Sequence, residues 1–105
     1  MIITFDKEYL SELYETGKTT DKKYRFQPEI VRKFRYCIKV LESANNIESL
    51  YKVKSLNYEI LKGKKQGISS IRVNLQYRIE FTVTKEDIEP IITICNILEL
   101  SSHYK

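Results

Sequence analysis

The sequence predicts an α+β fold, in which an N-terminal strand and two helices pack on a small antiparallel β-sheet. Apolar residues recur at helical spacing in the first half of the chain, whereas apolar and polar residues alternate with period two in the second half. Helices followed by consecutive strands are typical of the α+β class. With 105 residues the chain has the length of one domain, so we expect residues 1–105 to form a single domain.

The N-terminal half contains signals for one short strand and two helices. Residues 2–5 predict an edge strand, and Asp6 is a candidate N-cap for the first helix. Gly17 is a plausible end for that helix, because glycine readily adopts the left-handed conformation after the last turn. Pro28 suits the first turn of a second helix, which we expect to end near Ala44.

The C-terminal half predicts strands. Between residues 71 and 83 every odd position is apolar and every even position is polar, which indicates a sheet with one buried and one wet face. The interruption at Asn74–Gln76 predicts a hairpin turn, residues 85–87 predict a second turn, and residues 91–98 after Pro90 predict a buried strand. The buried face would carry Ile71, Val73, Leu75, Tyr77, Ile79, Phe81 and Val83, and the wet face Arg72, Asn74, Gln76, Arg78, Glu80 and Thr82.

Composition excludes several classes of protein. Hydrophobic residues make up 42% and charged residues 30%, a balance that argues against wholesale disorder. No stretch approaches the roughly 18 apolar residues of a membrane span, and the first residues lack the pattern of a secretory signal. Two cysteines and one histidine cannot supply a disulfide scaffold or a histidine-rich metal site. We therefore expect a cytoplasmic protein with no membrane contact, no metal and no cofactor.

The positive charge is concentrated in one stretch. Residues 52–78 contain seven lysines and arginines against one glutamate, a net charge of +6, whereas the rest of the chain carries −2. Clustered cations attract polyanions such as RNA through counterion release. The alternative is an ordinary solvated basic face.

Two groups of basic residues are candidates for phosphate binding. The loop 61–67 contains three lysines and two glycines, a combination that suits phosphate oxygens but is also common in surface turns. Arg72 and Arg78 share one predicted sheet face, where two guanidinium groups could clamp a phosphate and stabilise its pentacoordinate state. Alternatively, these arginines form cross-strand ion pairs with Glu59 or Glu80.

The tail and the cysteines are weaker candidates. His103 and Tyr104 could transfer protons in RNA cleavage, in which a 2′-hydroxyl attacks its own phosphate, or could simply be solvated. Cys37 and Cys95 lie in apolar patterns and are expected to be small buried hydrophobic residues rather than nucleophiles.

Three motifs resemble those of a known family. The LKG at 61–63, the SIRVNLQYRIEF at 70–81 and the terminal HY at 103–104 resemble the RelE/ParE superfamily of bacterial toxins, and most closely its HigB-like branch. The resemblance spans roughly residues 56–105.

The resemblance implies a type II toxin that cleaves mRNA in the ribosomal A site without a metal ion. Its partners would be the ribosome, mRNA and an antitoxin, usually a helix-turn-helix repressor that blocks the basic face. By position, Lys62 and Lys64 would hold phosphates and Arg78 would stabilise the transition state. His103 and Tyr104 would supply proton transfer or base stacking. The expected RNA-binding residues are Lys52, Lys54, Lys64, Lys65, Arg72, Asn74 and Gln76.

The sequence departs from the HigB pattern at three places. HigB-like enzymes often have an acidic residue before the terminal pair, where this chain has Ser101 or Ser102. Glu59 stands where HigB-like enzymes often have histidine, so it is either a general base or a group that neutralises Arg78. The terminal order is His-Tyr rather than Tyr-His, which leaves open whether His103 or Tyr104 takes the family histidine's place. Two alternatives to a nuclease are a ParE-like inhibitor of DNA gyrase and a catalytically degenerate module that binds RNA or the ribosome.

Overall fold

The computed structural model describes residues 1–86 and 88–102, which contain two α-helices and one five-stranded sheet. The helices are α1 (Glu8–Thr16) and α2 (Pro28–Ser43). The strands are β1 (Ile2–Phe5), β2 (Glu59–Ile60), β3 (Ser69–Arg72), β4 (Arg78–Lys85) and β5 (Thr93–Ser101). Short 3₁₀ turns lie at Lys22–Tyr24, Ile47–Lys52, Lys54–Leu56 and Gly63–Lys65.

The strands form a mixed sheet in the order β1-β5-β4-β3-β2. Neighbouring strands are antiparallel except for β1 and β5, which pair in parallel with Ile2 opposite Ile94 and Phe5 opposite Ile97. The predicted α+β class and the N-terminal edge strand are therefore confirmed. The sheet is not wholly antiparallel, because the helices and strands that separate β1 from β5 supply the long connection that a parallel pair needs.

Both ends of α1 can be compared with the sequence prediction. Gly17 has a left-handed backbone (φ 78°), and its N–H donates to the carbonyl of Leu13 at 3.0 Å, so the predicted stop is confirmed. The predicted N-cap is wrong, since Lys7 occupies that position without a side-chain cap. Asp6 instead donates its backbone N–H to the carbonyl of Ile97 at 2.8 Å, which extends the hydrogen bonding of β1.

Helix α2 begins and ends where the sequence predicts. Pro28 lies in its first turn, and Ala44 is its C-cap. The N-terminal ammonium of Met1 donates to the carbonyls of Glu42 at 2.7 Å and Ala44 at 2.8 Å. Met1, which directly precedes β1, thus satisfies carbonyls that the end of a helix leaves without partners within the helix.

The hydrophobic core lies between the helices and one face of the sheet. Phe34 and Ile38 of α2 are fully buried, as are Ile71, Ile79 and Phe81 of the sheet. Burying a side chain of this size contributes roughly 1.5–3 kcal/mol to folding. Cys37 and Cys95 are also buried and are not joined in a disulfide, as expected of small hydrophobic residues.

The predicted hairpin turn is confirmed. Strand β3 ends at Arg72 and β4 begins at Arg78, and the side-chain oxygen of Asn74 accepts the backbone N–H groups of Gln76 at 2.9 Å and Tyr77 at 2.7 Å. Leu75 is 81% exposed, so its prediction as a core residue is wrong. It fails because the turn interrupts the pleat on which the alternation depends.

The last strand is shifted relative to the prediction. Strand β5 starts at Thr93 and runs to Ser101, whereas Ile91 is exposed and precedes it. The apolar run therefore overstated the start of the strand by two residues. Strand β4 continues through Lys85, and Asp87 of the predicted turn lies outside the described residues. No helix in the described parts of the chain is long and apolar enough to cross a membrane.

Candidate active site

The strand register aligns polar side chains across the sheet. Glu59, Ser70, Glu80 and Glu99 oppose one another in one row from β2 to β5. Residues directly opposite on neighbouring strands share a face, and successive residues alternate between faces. This polar row therefore lies on the opposite face from Ile71 and Ile79, which belong to the core beneath the helices.

Arg78 is the buried cation of this face. The residue is only 5% exposed, so the prediction that it points to a wet face is wrong. Its Nε donates to the hydroxyl of Ser70, and its Nη2 donates to the carbonyl of Asn57 at 2.7 Å and to that of Ser70 at 3.4 Å. These hydrogen bonds hold the guanidinium in one orientation.

Asn57 contributes its carbonyl from a left-handed backbone conformation (φ 45°) that follows the 3₁₀ turn Lys54–Leu56. Asparagine tolerates this conformation better than most residues. The turn thereby directs the chain toward β2, with Leu56 and Tyr58 buried on either side of Asn57. The segment before β2 therefore supplies one of the hydrogen-bond acceptors that hold the guanidinium of Arg78.

Glu59 lies beside Arg78 and remains accessible. Its carboxylate is 3.7 Å from Nη2 of Arg78, and its side chain is 49% exposed, against 6% for the arginine. The proximity confirms that the two charges form a pair. A half-exposed carboxylate next to a buried cation also has access to an incoming hydroxyl, which is what a general base requires.

Glu80 is the second buried charge, and the prediction of a wet position is wrong for it as well. It is 3% exposed, and its two carboxylate oxygens lie 3.1 and 2.8 Å from the ammonium of Lys65. Buried carboxylates are found with partners because an isolated charge is costly to desolvate. The ion pair of Lys65 with Glu80 therefore links the lysine loop to the middle of the sheet. The role of Lys65 in RNA binding stays a prediction.

The remaining predicted site residues are distributed as follows. Four lysines of the basic stretch are exposed, as are Arg72 and Gln76, whereas the side-chain oxygen of Asn74 is engaged in the hairpin turn. The exposed lysines are Lys52, Lys54, Lys62 and Lys64. His103 and Tyr104 lie outside the described residues, so their proposed proton transfer remains a prediction.

Neither cysteine has the setting of a nucleophile. Burial raises the pKa of Cys37 and of Cys95 from 9.0 to about 11. A thiol that stays protonated at neutral pH is a poor nucleophile. Among residues 1–86 and 88–102, no three histidine, cysteine or acidic side chains come together as a metal ion would require.

Sequence reasoning missed two residues that build this site, Ser70 and Asn57, and named Glu80 only as a possible partner of the arginines. Ser70, Asn57 and Glu80 hold either Arg78 or the lysine loop in place. The period-two alternation contained the signal for Glu80, since an acid two residues after an arginine must share its face. For Ser70 and Asn57 the pairing partner of each segment was needed, and a single sequence does not supply it.

The two helices packed on a five-stranded mixed sheet form the fold of RelE-like toxins. Residues 3–92 match the family of HigB-like toxins, described as the RelE-like toxin of the type II toxin–antitoxin system HigB. Because this match covers most of the chain, the protein belongs to the HigB-like toxin family.

A solved structure supports the same fold. A YoeB/ParE toxin from Agrobacterium tumefaciens superposes with a TM-score of 0.58 at 15% sequence identity, covering 99% of this chain and 100% of that one. At this identity the likeness concerns the fold alone. No match was found among curated protein sequences.

Proposed function

We propose that the protein is a ribosome-dependent mRNA endoribonuclease that cleaves without a metal ion. The observation that carries this proposal is the pairing of half-exposed Glu59 with buried Arg78 at 3.7 Å. One group accepts a proton and the other stabilises negative charge, which are the two functions needed where a 2′-hydroxyl attacks the adjacent phosphate. Membership of the HigB-like family supports the same activity.

In the proposed reaction Glu59 takes the proton of the 2′-hydroxyl, and the 2′ oxygen forms a bond to phosphorus. The bond from phosphorus to the 5′ oxygen breaks, and that oxygen receives a proton from His103 or Tyr104, assigned on the resemblance alone. The products are a 2′,3′-cyclic phosphate and a 5′-hydroxyl end. Arg78 stabilises the additional negative charge of the pentacoordinate state, and a positioned donor of this kind contributes about 3–4 kcal/mol.

The exposed lysines would supply RNA affinity rather than chemistry. Lys62 and Lys64 lie on the loop that the Lys65–Glu80 pair anchors, and Lys52 and Lys54 precede the segment that contains Asn57. Phosphate contacts of this kind position a nucleic acid and weaken as salt increases. The basic stretch at 52–78 thus contains both members of the pair, Glu59 and Arg78.

The test is a brief induction of the protein in cells, followed by mapping of new 5′ ends on translated and untranslated messages. We expect cuts within reading frames that disappear when initiation is blocked. Glu59→Gln should reduce these cuts by about 10²- to 10⁴-fold, the usual contribution of a general base. Glu15→Gln is the matched control, since Glu15 is an exposed glutamate on α1.

Other outcomes would overturn the proposal. Growth arrest with DNA damage and no new RNA ends would favour gyrase inhibition. Purified protein that binds ribosomes without producing new RNA ends would indicate a binding module whose catalytic function has been lost.

A further inference from the structure

An exposed aromatic ring lies at the edge of the sheet and has no part in the proposed cleavage step. Tyr51 belongs to the 3₁₀ turn Ile47–Lys52, and the residue is 59% exposed. Single exposed aromatic residues are common on protein surfaces and by themselves indicate nothing. Tyr51 differs from them in two respects, since its ring is held in one orientation and lysines follow it in the chain.

Contacts with two buried residues hold the ring of Tyr51 in place. It meets the ring of Tyr58 with centroids 4.9 Å apart and an angle of 89° between the ring planes. Tyr58 is only 8% exposed, and its hydroxyl pairs with that of Ser69 at 2.9 Å. A perpendicular contact covers at most one face of the Tyr51 ring, which leaves a flat face open. Such an ordered ring can stack on another planar group with little loss of conformational freedom.

Two lysines connect this ring to the active site along the chain. Lys52 and Lys54 are exposed, and they lie between Tyr51 and Asn57, whose carbonyl accepts a hydrogen bond from Arg78. Within residues 1–86 and 88–102, neither lysine forms an ion pair with an acidic side chain. Both charges are therefore available to a polyanion that is bound at the active site.

The ring and the active site lie on the two sides of one edge strand. Strand β2 consists of Glu59 and Ile60, and it is the outermost strand of the sheet beside β3. Glu59 lies on the face that carries Arg78, whereas the preceding residue, Tyr58, belongs to the core on the opposite face and contacts Tyr51 there. Since no strand lies beyond β2 in the described parts of the chain, an RNA strand bound at Glu59 can cross this edge to reach Tyr51.

We propose that Tyr51 stacks on an unpaired nucleobase of the bound RNA, while Lys52 and Lys54 contact the adjacent phosphates. Aromatic side chains stack on any base, and neighbouring cations follow the backbone of a single strand. Glu48 lies on the same turn, but its carboxylate is 3.9 Å from the ammonium of Lys85, which offsets its charge. An acidic peptide would also satisfy the lysines, but a planar base makes fuller use of an open aromatic face. The inference rests on the proposed function, because it assigns a binding residue for the same RNA.

The test uses tryptophan fluorescence, because the chain contains no tryptophan and Tyr51→Trp therefore introduces a single reporter. The probe is a single-stranded 2′-O-methyl RNA of about ten nucleotides, a length within the usual site sizes. Without a free 2′-hydroxyl the probe cannot undergo the proposed cleavage, so binding is measured apart from chemistry. The matched control is Ile91→Trp, since Ile91 is 62% exposed and lies at the opposite end of β5 from Ser101, the strand partner of Arg78.

We expect the probe to quench the emission of Tyr51→Trp, less so as salt increases, and to leave the emission of Ile91→Trp unchanged. Tyr51→Ala should raise the dissociation constant of the probe at least about fivefold, whereas Tyr51→Phe, which keeps the ring, should bind it like the parent. Thermal unfolding of Tyr51→Ala checks its fold, and the two variants that retain an aromatic ring decide the question if it does not fold.

An unquenched Tyr51→Trp would overturn the proposal, as would equal affinities of the parent and a folded Tyr51→Ala for the probe. Failure of the nuclease proposal would show itself differently. Induction of the parent protein would then produce no new RNA ends in cells, while the quenching by the uncleavable probe would be retained.

Discussion

The ammonium of Lys65 lies 2.8 and 3.1 Å from the two carboxylate oxygens of Glu80, which is 3% exposed. This contact joins the lysine loop to the central strands, since Glu80 lies on β4 between β3 and β5. A short, charge-assisted contact to a buried carboxylate is stronger than a neutral hydrogen bond. Lys65 therefore has a structural function that its neighbour Lys64 does not share.

Lys65→Ala should lower the free energy of unfolding by about 1–3 kcal/mol, because it takes the ammonium away from a buried acid. Lys64→Ala is the matched control, since Lys64 is exposed, and it should leave stability nearly unchanged. Urea denaturation of both variants measures the difference. Equal stability of the two would show that the Lys65–Glu80 contact contributes nothing to the fold.

Ser70→Ala tests whether the Arg78 guanidinium must be held in one orientation. The Ser70 hydroxyl accepts the Nε hydrogen bond of Arg78, so its loss should lower kcat for mRNA cleavage about tenfold and leave KM for the programmed ribosome nearly unchanged. Ser70 is a positioning residue in this view, since it acts through the arginine. Single-turnover cleavage on purified ribosomes separates the two parameters.

Ser69→Ala is the matched control for that experiment. Ser69 is the buried neighbour on the other face of β3, and its hydroxyl pairs with that of Tyr58 at 2.9 Å. Its loss should lower stability by about 1 kcal/mol without a selective effect on kcat. A Ser70→Ala enzyme with the parent's kcat would remove the serine from the mechanism.

The fold could be predicted largely from local signals, whereas the site could not. Gly17, Pro28 and the Asn74 turn each have a chemical reason to sit where they do, and the structure confirms all three. The burial of Arg78 and Glu80 was missed, because polarity alone assigns a charged residue to water. Their partners come from segments distant in sequence, and only the strand pairing brings them together.

Gly17→Ala should destabilise the protein by about 1 kcal/mol or slightly more, because an alanine is strained at φ 78°. A Cβ there would also lie 3.3 Å from Nη1 of Arg35. Gly63→Ala is the matched control: it has a similar φ of 74°, but no atom lies within 4 Å of the added Cβ. Thermal unfolding should show the larger loss of stability for Gly17→Ala. An equal loss for both variants would mean that the Arg35 side chain moves away from the added Cβ without an energetic cost.

The buried thiols predict that stability falls in alkaline solution. Burial raises the pKa of Cys37 and of Cys95 to about 11, whereas the same thiols in the unfolded chain would titrate near 9.0. Between these values the folded state binds more protons than the unfolded state, so the free energy of unfolding decreases as pH rises. The stabilisation is complete below about pH 9 and is lost as pH approaches 11. We therefore expect the urea concentration at the unfolding midpoint to decrease when the pH is raised from about 8.5 to about 10.5, a range chosen from these two pKa values. In Cys37→Ala the urea midpoint should decrease less steeply with pH, and the midpoint at neutral pH should be lower than in the parent protein. An identical pH dependence in Cys37→Ala and the parent would exclude this thiol as its source.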